Sequence, residues 1–126
     1  MRGLLAVCLG GAVGSGLRYL IALAMARGEG RFSFGTLVAN VLGCFLMGLI
    51  ATLGTTQLSP TVRLGLTTGL LGGFTTYSTF SLEKMLLAQR GMVLHAAGYA
   101  VLTLALGLIG VFAGHGLARA ILARGA

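Results

Sequence analysis

The sequence predicts an all-α membrane protein built from four transmembrane helices. Of its 126 residues, 56% are hydrophobic and 9% are charged, and the mean hydropathy is +0.97. A soluble domain carries roughly a quarter charged residues, so this composition is typical of a membrane protein. Four long runs with almost no charge follow one another, and a helix needs about 20 apolar residues to cross a bilayer. Because the connections between the runs are short, we expect a single four-helix transmembrane domain over residues 1–126.

The first two predicted helices cover about residues 4–25 and 35–53. Arg18 is the only charged residue in the first run, and Asn40 is the one strongly polar group in the second. A secretory signal peptide is not expected in the first run, because no small-residue cleavage site leads into a soluble domain. Both runs are therefore interpreted as spans that each carry one polar group of interest.

The third predicted helix covers about residues 62–89 and is broken at 72–76, where the sequence reads GGFTTYSTFS. Pro60 fits the turn that precedes this helix. The uncharged run 64–82 has 19 residues and its centre is position 73, so the break is expected near the membrane midplane. Lipid offers freed backbone groups no partner, so two glycines and six hydroxyls in mid-span indicate a function.

The fourth predicted helix covers about residues 92–118, and the basic residues flank the four spans in equal numbers on both sides. One side carries Arg2, Arg63, Arg119 and Arg124, and the other carries Arg27, Arg31, Lys84 and Arg90. Since an imbalance of Lys and Arg sets the orientation of a membrane protein, we expect this chain to insert both ways. Transporters are often built from two halves of inverted topology, so the chain is predicted to form an antiparallel, dual-topology homodimer. The alternative is a chance balance in which one flanking charge dominates.

The charge pattern and the polar residues exclude two classes of function. The net charge is +7, but its residues flank spans and form no stripe, so nucleic acid is not an expected partner. Glu29 and Glu83 are the only acidic residues, so no carboxylate pair, catalytic triad or nucleotide-binding loop can be assembled, and an enzyme is not expected.

Neutral polar and aromatic side chains recur inside the spans at helical spacing. The sets that share one helix face are Thr36 with Asn40, Tyr77 with Phe80, and Tyr99 with Thr103 and Gly107. A single hydroxyl in a membrane helix more often bonds its own backbone or a neighbouring helix. For Asn40 and the hydroxyl cluster after the glycines, we favour a role in transport.

Three segments resemble the Fluc (CrcB-type) fluoride channels. GGFTTYSTFS resembles their GGxTTFSTFS signature, GTLVANVLG resembles their GTLxxNxxG segment, and GSGLRYL resembles their G-x-x-x-R-[WY] element. The similarity extends in order over nearly the whole chain. It implies an antiparallel homodimer in the cell inner membrane, with two parallel fluoride paths, passive efflux of fluoride from the cytoplasm and a central structural sodium ion.

The resemblance also implies roles for individual residues. The carbonyl oxygens of Gly72 and Thr75 from both subunits are expected to hold the sodium ion. Arg18 matches an arginine that faces a vestibule, and its alternative is to snorkel to the lipid headgroups. The residues expected to line the pore or bind fluoride are Asn40, Tyr77, Ser78, Thr79, Phe80, Tyr99 and Thr103.

Two positions depart from the family pattern. Gly107 stands where several relatives carry a hydroxyl, so the polar track departs from the family pattern at that end. Tyr77 stands where most relatives have phenylalanine. The ring is kept, but the added hydroxyl needs a partner in a dry pore, and Asn40 or Thr103 is expected within its reach.

Two alternative functions are also compatible with the sequence. A dual-topology small multidrug exporter has the same four-helix size and balanced charges. Such a proton-coupled antiporter needs a carboxylate buried in the membrane, whereas the first helix here offers Arg18. A structural membrane assembly factor would leave the central hydroxyl cluster unexplained.

Overall fold

The computed structural model describes residues 1–25 and 34–125, which fold into helices with no strand among them. The predicted all-α class is confirmed. The helices are α1 (Arg2–Met25), α2 (Phe34–Gln57), α3 (60–74, in the consecutive stretches Pro60–Leu64, Gly65–Leu71 and Gly72–Phe74), α4 (Tyr77–Gln89) and α5 (Val93–Arg124). Three charged residues of the predicted first loop, Arg27, Glu29 and Arg31, lie outside the described residues.

Three of these helices, α1, α2 and α5, are long and apolar enough to cross a membrane. The third predicted span is divided into α3 and α4 by Thr75 and Thr76, whose backbones are extended with ψ angles of 155° and 123°. The interruption is narrower than the predicted 72–76, because Gly72–Phe74 still forms a helical turn. Within α3, the stretch Gly65–Leu71 is a π-helix, a wider winding that is often found near functional sites.

The helices pack mainly in two pairs, α1 with α3 and α2 with α5. Glycines line both contacts: a methyl group added at Gly69 would lie 2.8 Å from the Val7 carbonyl oxygen, and one at Gly73 would lie 2.6 Å from that of Gly11. In the other pair, Gly114 faces the Phe45 carbonyl at similarly close range. Small residues let helix backbones approach, which is a principal source of helix association in lipid. The high glycine content of the chain therefore has a packing explanation.

The outer surface of the described chain is apolar. Gly14 is the one buried residue of α1, and Leu94 and Phe112 of α5 are 85% and 71% exposed. Exposed apolar side chains of this number and size fit contact with lipid or with another subunit. Together with the three membrane-spanning helices, this surface supports a membrane location.

A tight turn joins α4 to α5 and brings their side chains together. Gly91 has a φ of +77°, a conformation that favours glycine, and its N–H donates to the Ala88 carbonyl at 2.9 Å. The Met92 N–H donates to the Leu87 carbonyl at 3.0 Å, which completes a Schellman motif. As a result, α5 runs back along α4, and Tyr99 meets the side chains of α4.

Candidate functional site

Asn40 of α2 holds the interruption between α3 and α4 in place. Its side-chain oxygen Oδ1 accepts the Thr76 N–H at 2.8 Å, and its Nδ2 donates to the Thr76 carbonyl at 3.1 Å. The Asn40 side-chain amide thus bonds both the N–H and the carbonyl of Thr76, as a backbone peptide group of a neighbouring strand would. The two bonds also fix which side of the Asn40 amide is oxygen and which is nitrogen. The amide has two hydrogens, and the bond to Thr76 uses one of them. Asn40 therefore has a structural role that the sequence alone did not reveal.

The hydroxyls that follow the glycines cap the start of α4. Thr76 Oγ1 accepts the Thr79 N–H at 3.2 Å, donates to Thr79 Oγ1 at 3.1 Å and lies 3.3 Å from the Ser78 hydroxyl. Thr75 instead bonds to the preceding helical turn, since its N–H and its hydroxyl both donate to the Leu71 carbonyl. The hydroxyls of this cluster thus satisfy the two helix ends that the interruption creates.

A groove of about 360 Å³ lies between α2, α5 and the interruption. Of the pore residues predicted from the sequence, the groove brings together Asn40, Tyr77, Phe80 and Thr103. Ser78, Thr79 and Tyr99 do not line it: the first two belong to the cap of α4, and Tyr99 lies beyond Phe80. The rest of the lining consists of Gly43, Cys44, Met47, Thr75, Thr76, Leu104, Gly107, Leu108 and Val111. The groove is therefore mostly apolar, with a few polar groups in its lining.

Three aromatic rings form a row beside this groove. The ring centroids of Tyr77 and Phe80 are 6.0 Å apart, and those of Phe80 and Tyr99 are 6.4 Å apart. Tyr77 is 80% exposed at the open side, whereas Tyr99 is buried. The described bonds of the two candidate partners for the Tyr77 hydroxyl go elsewhere, from Asn40 to Thr76 and from Thr103 Oγ1 to the Tyr99 carbonyl at 2.8 Å.

A charged cluster closes the inner end of the aromatic row. Glu83 Oε1 accepts the Thr36 hydroxyl at 2.6 Å, and Glu83 Oε2 lies 3.5 Å from Lys84 Nζ. The Lys84 ammonium is 3.4 Å from the Tyr99 ring centroid and 4.7 Å from that of Phe80. The charge pattern predicts Lys84 to flank a span, whereas its ammonium lies against two rings. For Glu83 the sequence predicts no role beyond a charge pair or a vestibule contact, and in the structure it pairs with Lys84. The i, i+4 spacing of Thr36 and Asn40 was the one available signal that both face the same site.

The comparison with known proteins decides the family. Residues 5–115 match the family described as "CrcB-like protein, Camphor Resistance (CrcB)". The chain belongs to the CrcB family. The predicted resemblance to this family is thereby confirmed.

Similar members of the CrcB family match this chain over nearly its full length. The fluoride-specific ion channel FluC of Chloroflexus aurantiacus (strain J-10-fl) is 48% identical over 122 residues, which are 94% of this chain and 97% of that protein. The protein of the same name from Shewanella sp. (strain ANA-3) is 49% identical over 119 residues, with 93% and 96% covered. That from Roseiflexus sp. (strain RS-1) is 42% identical over 121 residues, with 94% and 98% covered. These CrcB relatives are named as channels, which confirms that the chain is not an enzyme.

The predicted vestibule residue of this CrcB chain, Arg18, is half-buried in α1. Its Nε atom is buried and has no hydrogen-bond partner among the described residues. A buried guanidinium nitrogen without a partner is costly, so this group is suited to an anion, a water molecule or a headgroup.

Of the predicted sodium ligands of the CrcB chain, Gly72 begins the last turn of α3 and Thr75 directly follows it. Gly72 is exposed in the single chain. In a continuous helix the Thr76 N–H would donate to the Gly72 carbonyl. Here the Thr76 N–H donates to Asn40 instead, so the Gly72 carbonyl does not receive that helical hydrogen bond. Thr75 is itself extended, so its carbonyl lies beyond the helical ladder of α3. No group of three or more His, Cys, Asp or Glu side chains that could hold a metal occurs in residues 1–25 and 34–125. Any cation at this place would therefore be held by neutral oxygens, those of the main chain or of hydroxyls, as a hard cation can be.

Proposed function

We propose that this chain is a passive, fluoride-selective ion channel of the cell inner membrane. The observation that carries the proposal is the groove at the helix interruption, where the Asn40 amide, the Phe80 ring and the Thr103 hydroxyl meet in apolar walls. The names of the relatives that are 42% to 49% identical to this chain support the same substrate.

The groove has the chemistry that a fluoride path requires. Fluoride is small and strongly hydrated, so a pore must replace its water with hydrogen-bond donors and must lack an unpaired cation that would trap the ion. The second amide hydrogen of Asn40 is such a donor, and a hydroxyl such as that of Thr103 becomes one when it rotates away from its own helix. The positive edge of an aromatic ring attracts an anion weakly, which permits release.

The proposed assembly is an antiparallel homodimer that contains two parallel pores. In the single chain the groove is open on one side, and Tyr77 at its rim is 80% exposed. An inverted second copy would supply the missing wall of each groove. The flanking basic residues differ by only one between the two sides of the spans once Lys84 is set apart, which supports insertion in both orientations.

A central sodium ion is part of the same proposal. The carbonyls of Gly72 and Thr75 would hold it together with those of the second subunit, and the ion would stabilise the assembly without moving. Purified dimer should therefore melt at a higher temperature in sodium chloride than in N-methylglucamine chloride of equal ionic strength. Equal melting temperatures in the two salts would argue against the ion.

The channel function is tested with purified protein in liposomes. Fluoride release measured with a fluoride electrode should be fast, should follow the electrochemical gradient and should exceed chloride release by a large factor. Equal fluoride and chloride release would contradict a selective channel. Exchange of a drug cation for protons would instead identify a multidrug exporter, and the absence of any transport would leave an assembly factor.

A further inference from the structure

Lys84 is the single lysine of the chain, and it lies against aromatic rings rather than in a loop. Its side chain is 14% exposed, and its ammonium is 3.4 Å from the Tyr99 ring centroid and 4.7 Å from that of Phe80. Positions this close to a ring face are those of a cation–π contact. The ammonium therefore faces Phe80, whose ring lines the groove, and Tyr99, whose ring stacks behind that of Phe80.

We propose that Lys84 is a positioning residue for the fluoride path, because its ammonium on the face of Phe80, and of Tyr99 behind it, strengthens the attraction of the ring edges for fluoride. The inference rests on the proposed fluoride channel. The face of an aromatic ring is negative and its edge is positive. The negative face of the ring holds the cation. The positive field of the cation then adds to the positive field at the ring edge. The ring edges consequently attract a small anion more strongly, while the ammonium keeps out of its direct path.

Glu83 keeps this arrangement from trapping the anion. Its Oε2 atom is 3.5 Å from the Lys84 ammonium and accepts no hydrogen bond from the described residues, while Oε1 accepts the Thr36 hydroxyl at 2.6 Å. The carboxylate and the ammonium form a neutral pair. An unpaired cation beside a pore would bind fluoride too tightly for rapid release. The pair thus places a positive charge at the rings with no net charge in the site.

The first test compares three variants in the liposome assay. Lys84→Met removes the charge and keeps much of the side-chain volume, and we expect it to lower fluoride flux about tenfold, the size of a desolvated cation–π contact. Lys84→Arg keeps the cation and should retain most of the flux. The matched control is Arg90→Met, which removes one charge from an exposed residue at the end of the same helix and should leave the flux unchanged.

The double variant Glu83→Gln/Lys84→Met separates the ring contact from the charge balance. If the ammonium acts through the rings, this variant stays as slow as Lys84→Met. Recovery to the wild-type rate would show that the loss came from an uncompensated Glu83, and it would overturn the proposal. Wild-type flux in Lys84→Met, or flux in Lys84→Arg as low as in Lys84→Met, would overturn it as well.

A spectroscopic measurement tests the contact without transport. Protein labelled with [ε-¹³C]lysine gives one lysine signal, because Lys84 is the only lysine. The ring currents of Phe80 and Tyr99 should shift its ε-methylene protons upfield, and addition of sodium fluoride, but not sodium chloride, should move the signal. An unshifted signal, or one insensitive to fluoride, would contradict the proposal. Failure of wild-type fluoride flux, in contrast, would contradict the channel function itself.

Discussion

Phe80 is the residue on which the proposed ion path depends most directly. Its ring lines the groove and lies between those of Tyr77 and Tyr99. We expect Phe80→Ile to reduce fluoride flux at least tenfold, because an aliphatic side chain has no positive edge. Phe112→Ile, at a 71% exposed position of α5, is the matched control and should conduct normally. Full flux in the Phe80→Ile protein would show that the assignment of the pore lining is wrong.

The Tyr77→Phe substitution tests whether the Tyr77 hydroxyl coordinates fluoride. If the hydroxyl only caps the ring, Tyr77→Phe conducts fluoride as the wild type does. If the hydroxyl coordinates the ion, the same change alters the conductance or the ratio of fluoride to chloride flux. Single-channel recordings of the two proteins in planar bilayers distinguish these results.

Asn40 is predicted to contribute to stability as well as to conduction. Asn40→Leu would leave the N–H and the carbonyl of Thr76 without their partner, at a cost of about 1–3 kcal/mol for each group. We expect a clear fall in the melting temperature of the detergent-solubilised protein, together with a loss of fluoride flux. Thr56→Leu changes a residue of α2 whose hydroxyl bonds the Leu53 carbonyl of its own helix, and it should melt close to the wild type. Similar melting of the two variants would show that the bonds to Thr76 contribute little.

At the level of single residues, the sequence predicts positions better than roles. Asn40 is identified from the sequence because it is the one strongly polar group of an apolar span. That its amide binds the interrupted segment depends on how α2 and α3 pack, which hydropathy does not describe. Lys84 is mistaken for a loop charge for the same reason, since a long side chain can turn inward onto rings of another helix.

At the level of the helices, the contact between α1 and α3 depends on the absence of side chains. A methyl group at Gly14 would lie 2.9 Å from the Phe74 nitrogen, whereas one at Gly16 would have nothing within 4 Å. Overpacking typically costs about 1–3 kcal/mol, while alanine in an open helical position is favourable by roughly 0.5–1 kcal/mol. We therefore expect Gly14→Ala to lower the melting temperature and Gly16→Ala to leave it unchanged or raise it. Equal melting of the two variants would contradict this packing.

The helices themselves are largely predictable because apolar runs and their lengths carry the signal. α2 and α5 continue to Gln57 and Arg124, a few residues beyond the predicted ends at 53 and 118. The end of α2 contains Thr55, whose hydroxyl donates to the Thr52 carbonyl at 2.8 Å and so suits a helix. The π-helix Gly65–Leu71, which packs closely against α1, has no signature in the hydropathy.

At the level of the whole molecule, orientation is the property most open to test. The basic residues are balanced in the sequence, and Lys84, which was counted with them, lies inside the helix bundle. The remaining difference of one charge is small, so we still expect insertion both ways. A C-terminal reporter that is active only in the cytoplasm and one that is active only outside should both give signal. Signal from a single reporter would contradict the inverted dimer.

α5 is longer than the hydrocarbon core of a bilayer is thick. Its 32 residues extend about 48 Å at about 1.5 Å per residue, against a hydrocarbon thickness of about 30 Å. The part that precedes Arg119 is already long enough to cross, so Arg119 and Arg124 lie in the headgroup layer or the water. Trypsin added to one face of sealed vesicles would then clip a short tail from every molecule whose end faces that side. The fraction of chains shortened, read by mass spectrometry, would count the two orientations without any fused tag.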